Sequence, residues 1–128
     1  MNHYSRMKAI EKYRADIVEY KQICVDSEAK ANEMASKAKK VDQEAKEMDL
    51  IAQNETLPTM KENRIKTLEH ILRRKESYLS SEKSSLSRRN LYLRMIKYRE
   101  DEIDFEEKSI AFEEREERYR RQRMRYEG

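Results

Sequence analysis

Catalysis would have to be built from two histidines, His3 and His70, one cysteine, Cys24, and 26 carboxylates. A nucleophilic site needs its nucleophile, base and orienting group within hydrogen-bond reach, and a zinc site needs nitrogen or sulfur donors at short fixed spacing. The chain has no HExxH and no CxxC, and a chain that doubles back at its middle leaves the two histidines at opposite ends. Cys24 falls in an apolar heptad row, the place of a packing residue rather than of an activated thiolate. Carboxylates recur four residues before a lysine or arginine, as in Asp26–Lys30, Glu33–Lys37, Asp42–Lys46 and Glu69–Arg73. That is the spacing of helix-surface ion pairs. Loops that cradle phosphate need glycine for positive φ and for close backbone approach, and the one glycine is Gly128. The expectation is a non-enzymatic protein with no catalytic residue, no cofactor and no metal.

Binding chemistry is better supplied. Tyr98, Phe105, Phe112, Tyr119 and Tyr126 recur every seven residues. They lie two positions on from Ile96, Ile103 and Ile110, which is about 200° around a helix. One segment therefore carries apolar groups on nearly opposite faces, and a two-helix pairing covers only one of them. Either the bulky N-terminal end of the first helix wraps part of both rows, or the rings lie flat under long charged side chains, or the aromatic face docks on another protein. Charge is segregated on the same segment. Positions 100–107 hold six acidic residues, and positions 115–125 hold six arginines against two glutamates. Arginines at a helix C-terminus complement the helix dipole. They also suit an acidic or polar cavity on a protein partner, with Arg118, Arg121 and Arg125 as candidate contacts. Arginine interleaved with tyrosine suits nucleic acid as well, but the patch is short and the net charge is only +3, so nucleic acid ranks last. The remaining candidate is the stretch around Leu57 and Pro58, either a plain connector or the contact point for a second partner.

Only long helices can position these groups. The composition is helix-favouring, rich in Ala, Glu, Lys, Leu, Arg, Met and Gln. Without internal glycine, the primed turns of a multi-stranded antiparallel sheet are not available. The one strong breaker cluster is Asn54-Glu55-Thr56-Leu57-Pro58-Thr59. Thr59 and Glu62 have capping-box spacing, with Pro58 just before the cap. The sequence thus predicts an all-α fold, a single helical hairpin over 1–128. Its first helix covers about 3–53, its connector 54–58 and its second helix about 59–126. At about 1.5 Å per residue the helices would run about 75 Å and about 100 Å.

The first helix alternates in steps of three and four without a gap. Ile10, Ile17, Cys24, Ala31, Ala38, Ala45 and Ala52 form one row, and Tyr13, Tyr20, Ser27, Met34, Val41 and Met48 the other. This is a coiled-coil seam whose second half is small enough for close approach. On the second helix Ile65, Leu72, Leu79, Leu86 and Leu93 recur every seventh residue, so leucines are expected to face the alanines. A companion row starts at Leu68, is interrupted by Lys75, Glu82 and Arg89, and resumes at Ile96, Ile103 and Ile110, with Ile71, Tyr78 and Tyr92 widening the edge. Extending the first register past the break would put Thr59, Lys66 and Arg73 on the seam, so the two seams are out of phase. That favours an antiparallel two-helix coiled coil over a kinked rod pairing only between chains. Folding back near residue 56 sets position i opposite roughly 112 − i and leaves the end of the second helix overhanging the first.

The mean hydropathy of −1.19 rules out a deep globular core. With 29 basic and 26 acidic residues the surface is salt-laced rather than built for polyanions. Apolar runs are too short for a membrane span or a signal-peptide core. A lone cysteine precludes a disulfide within this sequence and suits a reducing cytosol.

The opening Ser5-Arg6-Met7-Lys8-Ala9-Ile10-Glu11-Lys12-Tyr13-Arg14-Ala15 resembles the Arg-x-Lys-x-Leu-x-x-x-Arg-Ala start of the type III secretion central stalk proteins, the YscO, InvI and FliJ group. Arg6, Lys8, Ile10, Arg14 and Ala15 match, with isoleucine for leucine. Ile71-Leu72-Arg73-Arg74-Lys75 and the charged, tyrosine-bearing C-terminal helix are similar too. The resemblance implies an antiparallel coiled coil similar to the γ stalk of rotary ATPases. It implies a cytoplasmic place at the inner membrane without membrane insertion. The implied partners are a hexameric export ATPase, the export gate protein and secretion chaperones. It assigns ATPase contact to Arg6, Lys8 and Arg14. Charge and geometry add Arg118, Arg121 and Arg125, and the connector at Leu57 and Pro58 would point to the gate.

Overall fold

The computed structural model describes residues 2–127. It consists of α1, His3–Asn54, and α2, Pro58–Glu127, with no strand among the described residues. The two helices pack against each other within one chain as an all-α helical hairpin. Neither helix is long and apolar enough to cross a membrane.

The helix ends explain the boundaries. Asn2 caps α1: its Oδ1 accepts from the Ser5 N–H at 2.8 Å, and its carbonyl accepts from the Arg6 N–H at 3.1 Å, satisfying donors that a bare terminus leaves orphaned. At the other end the Glu55 N–H donates to the Ala52 carbonyl at 3.4 Å. Pro58 is the first residue of α2, not the residue before its cap, and the Lys61 N–H donates to the Leu57 carbonyl at 2.8 Å. A first-turn proline gives up no hydrogen bond, and its fixed φ is already helical. The helix therefore starts ahead of the Thr59–Glu62 box. Glu55 closes the turn, accepting from the Leu57 N–H at 3.3 Å. No described residue needs positive φ.

Packing divides the chain into two compact units, Cys24–Asn90 and Met1–Ile23 with Leu91–Gly128. In the first, the α1 alternation is the buried seam: Cys24, Ser27, Ala31, Ala38, Val41, Ala45 and Ala52 are all buried. Val41 and Ala45 meet Ile71, flanked by Met48, Leu68 and Tyr78. The α2 side corrects the expectation. Ile65, Leu72 and Leu79 are 41–43% exposed and Leu86 alone of the row in this unit is half-buried, so the alanines do not face a continuous leucine row. The covered positions are instead Leu68, Ile71, Lys75, Tyr78, Glu82, Ser85 and Arg89, a three-four alternation one residue away. Charge pairing explains the offset. Lys75 Nζ lies 2.7 Å from an Asp42 oxygen and Arg89 Nη1 lies 3.5 Å from a Glu28 oxygen. Long aliphatic stems can cover small alanines while their charged heads stay wet. Turning α2 by the ~100° of one residue would centre the leucines but swing these cations away from their carboxylates.

In the other unit Ile10 and Ile17 are buried against an α2 face of Tyr92, Ile96, Arg99, Ile103, Glu106, Ile110 and Glu113. The Tyr20 and Tyr92 rings stand 5.5 Å apart, tilted at 57°, a favourable aromatic geometry. From residue 114 to residue 127 every side chain of α2 is exposed, so the overhang is present.

The offset seam is testable by denaturant unfolding. Ile71→Ala should cost about 2–3 kcal/mol, whereas Leu72→Ala, on the half-exposed flank, should cost about 1 kcal/mol or less. Equal costs, or the reverse order, would return the leucine row to the seam.

Candidate protein-interaction surfaces

The unit that holds both termini is organised around one arginine. Arg6 Nη1 lies 2.8 Å from Glu106 Oε2, and Arg6 Nε lies 2.9 Å from Glu113 Oε1. Glu106 is buried, only 8% exposed, and a carboxylate taken out of water needs such a partner. Hydrogen bonding to Glu106, then to Glu113, holds the guanidinium pKa above its ordinary value. A turn or two further along, Arg99 bridges Asp16 at 3.3 Å and Glu102 at 2.8 Å and stacks 5.2 Å from the Tyr13 ring centre. Its pKa is raised too, chiefly through a hydrogen bond with Tyr20. The Tyr13 phenol is pushed up, first by Glu102, which is bonded to it, and then by burial.

Of the three cations that the family resemblance assigns to a partner, Arg6 is therefore spent inside the chain. Arg14 reaches Glu107 at 3.1 Å on an exposed surface, where such a pair contributes little. Lys8 sits 5.5 Å over the Tyr4 ring, and both are exposed. Sequence reading missed Arg99, Glu106 and Glu113. Their signal was the seven-residue spacing with Tyr92, overlooked because the row turns polar.

The arginine end of α2 is differently placed. Arg121 pairs with Glu117 at 2.8 Å, one turn back on its own helix. Arg123 lies 5.9 Å from the Tyr119 ring centre. Among the described residues Arg118 and Arg125 have no ion-pair partner, and both are exposed. Arg118 and Arg121 line a shallow hollow with Glu114 and Glu117.

The aromatic row stands clear of the seam. Tyr98, Phe105, Phe112 and Tyr119 are 59–65% exposed and Tyr126 is 93% exposed. Leu91, 48% exposed, extends the row one heptad back, a member the sequence reading left out although its spacing gives it away. The N-terminal part of α1 wraps only the isoleucine row.

In the unit of Cys24–Asn90, Leu57 and Pro58 are exposed at the connector. Leu50, Ile51 and Met60 are also exposed, at 60%, 43% and 40%. The apolar character of this turn region was missed because these residues fall off the heptads. Further along, Asp42 is bonded by Lys75 and Lys46, which hold its carboxyl below the usual range.

Among the described residues no group of three or more His, Cys, Asp or Glu side chains could hold a metal ion. Cys24 is buried, its Sγ 3.7 Å from the Arg89 carbonyl. The class defined by these features is a two-helix coiled-coil hairpin with exposed aromatic and arginine rows. No family model, curated protein or solved structure matches the chain.

A lowered carboxyl pKa contributes stability at neutral pH that is lost as pH falls through it. Asp42→Asn should therefore lower the unfolding midpoint at neutral pH and flatten its decline toward acid. An unchanged acid limb, followed by circular dichroism, would mean that the Asp42–Lys75 pair does not form.

Proposed function

We propose that this chain is a non-enzymatic coiled-coil stalk or adaptor of a type III protein secretion apparatus. It contacts the hexameric export ATPase and links it to the export gate protein, on the cytoplasmic side at the inner membrane. The observation that carries the reading is the arginine-bearing end of α2, which has no helix packed on it. A rotary motor's axle must offer an asymmetric charged end to a ring, and this segment supplies one. The family-like opening at Arg6, Lys8, Ile10, Arg14 and Ala15 supports the same assignment. In this reading Arg6 acts indirectly: its bonds to Glu106 and Glu113 fix where α1 stops covering α2. The ring then meets Arg118, Arg121 and Arg125. The exposed apolar residues about Leu57 and Pro58 suit the gate protein, and secretion chaperones would compete for the aromatic row.

A second reading, a generic structural or filament-forming spacer, draws on that exposed aromatic row. Light scattering separates the two, since open-ended growth with concentration suits a filament and a monomer or weak dimer suits a stalk. Nucleic-acid binding through the arginines predicts affinity falling steeply with salt; no gel shift at low salt ends that possibility.

The stalk reading predicts that the full chain raises turnover of its cognate export ATPase. Replacing Arg118, Arg121 and Arg125 together by Glu should remove the stimulation with helicity intact. Unchanged turnover on adding the unaltered chain contradicts the assignment. Leu57→Asp should weaken capture of the gate protein while leaving ATPase stimulation in place; loss of stimulation instead would move the connector to the ring.

A further inference from the structure

We propose that α2 carries a built-in yielding segment, residues 77–88, which opens locally while the helix around it stays folded. Six of the eleven residues from 77 to 87 are serines: Ser77, Ser80, Ser81, Ser84, Ser85 and Ser87. The rest of α2 holds one more, Ser109. Serine is a poorer helix former than alanine, because its hydroxyl offers the backbone hydrogen bonds that compete with the helix. The segment gains little from being helical.

Packing across the seam does not make up the difference. Lys75 meets Asp42 at 2.7 Å before the segment, and Arg89 meets Glu28 at 3.5 Å after it. The segment therefore lies along the part of α1 between those two carboxylates. The buried residues there include Ala31 and Ala38 on α1 and Ser85 on α2. Ser81, Glu82 and Leu86 are half-buried, and Leu79 is exposed. Tyr78 is half-buried with the Lys37 Nζ 5.8 Å from its ring centre. Hydrophobic gain follows apolar area, and small and polar side chains supply little of it. Nearer the connector Val41 and Ala45 close on Ile71, with Met48 and Leu68 beside them.

The two helices respond differently. Across the same stretch α1 carries Ala29, Ala31, Ala35 and Ala38, the best helix former, so α1 keeps its helix where α2 lets go. Opening the middle of a helix orphans backbone groups at two new ends. Serine and asparagine are the side chains that cap a helix start, and Ser84, Ser85, Ser87 and Asn90 stand where α2 would resume. Local opening draws on the part of a fold with the fewest buried apolar contacts and leaves better-packed parts closed. The device is a long helix that yields at one place. The inference does not rest on the stalk reading.

Hydrogen exchange of the full chain, resolved along the sequence by mass spectrometry, tests it. Amides 78–88 should exchange about tenfold faster than amides 64–75 of the same helix, and faster than amides 29–40 of α1. Ser77, Ser80, Ser84 and Ser87 are all exposed, so Ser77→Ala with Ser80→Ala, Ser84→Ala and Ser87→Ala leaves the seam as it is. This variant should slow exchange at 78–88 by about tenfold, with little change at 64–75. Limited trypsin digestion gives a second readout. Within residues 24–90 the first cut should fall at Lys83, Arg88 or Arg89, and the alanine variant should delay it. Any of four results overturns the proposal: equal protection of 78–88 and 64–75, opening of α1 at 29–40 as ready as that of α2, exchange unmoved by the four alanines, or a first cut elsewhere in 24–90.

Discussion

The hairpin depends on charged side chains of α2 finding their counterparts on α1. Lys75 meets Asp42 and Arg89 meets Glu28 in one unit, while Arg99 meets Asp16 and Arg6 meets Glu106 and Glu113 in the other. A seam of alanines has little apolar area to bury, and area sets hydrophobic gain. Area alone would favour burying the leucines, so direction and register must come from elsewhere. Half-buried charge pairs supply them, because a mismatched register strands charges away from water. The aliphatic stems of Lys75 and Arg89 are long enough to lie over small alanines, so the same side chains can serve both packing and register.

This division explains what could be read from the residues alone. On α1 a single apolar alternation runs from Ile10 to Ala52 without a competitor, and every member is buried or half-buried. On α2 three apolar rows compete: the leucines from Ile65 to Leu93, the isoleucines from Ile96 to Ile110, and the rings from Tyr98 to Tyr126. Counting apolar residues favours the leucine row, because Lys75, Glu82 and Arg89 look like interruptions. All three lie in the seam, Lys75 and Arg89 with partners on the other helix, Asp42 and Glu28, and no pattern local to α2 reveals that. The start of α2 moved for a local reason, since proline is at home in a helix's first turn. The aromatic row and the arginine end were legible as period and charge. Arg6's capture by Glu106 and Glu113 was not, because it depends on a long-range pairing.

A seam that spends polar residues on register leaves apolar residues outside. The exposed rings of α2 and the exposed leucines, isoleucine and methionine about the connector follow from that choice. A lone helix pair has no third layer to cover them. The same economy that makes the hairpin specific leaves apolar and charged groups displayed along its helices. Charge segregation on the last third of α2 adds direction to that display.

Pairing within a single chain is the claim on which these points rest. Spin labels at exposed Lys40 and Glu76, diluted with unlabelled chain, measure it by electron–electron distance. The account predicts a narrow, short distance that persists on dilution, as for helices whose axes pack about 10 Å apart. A short distance that vanishes on dilution, or a broad long one, would contradict it.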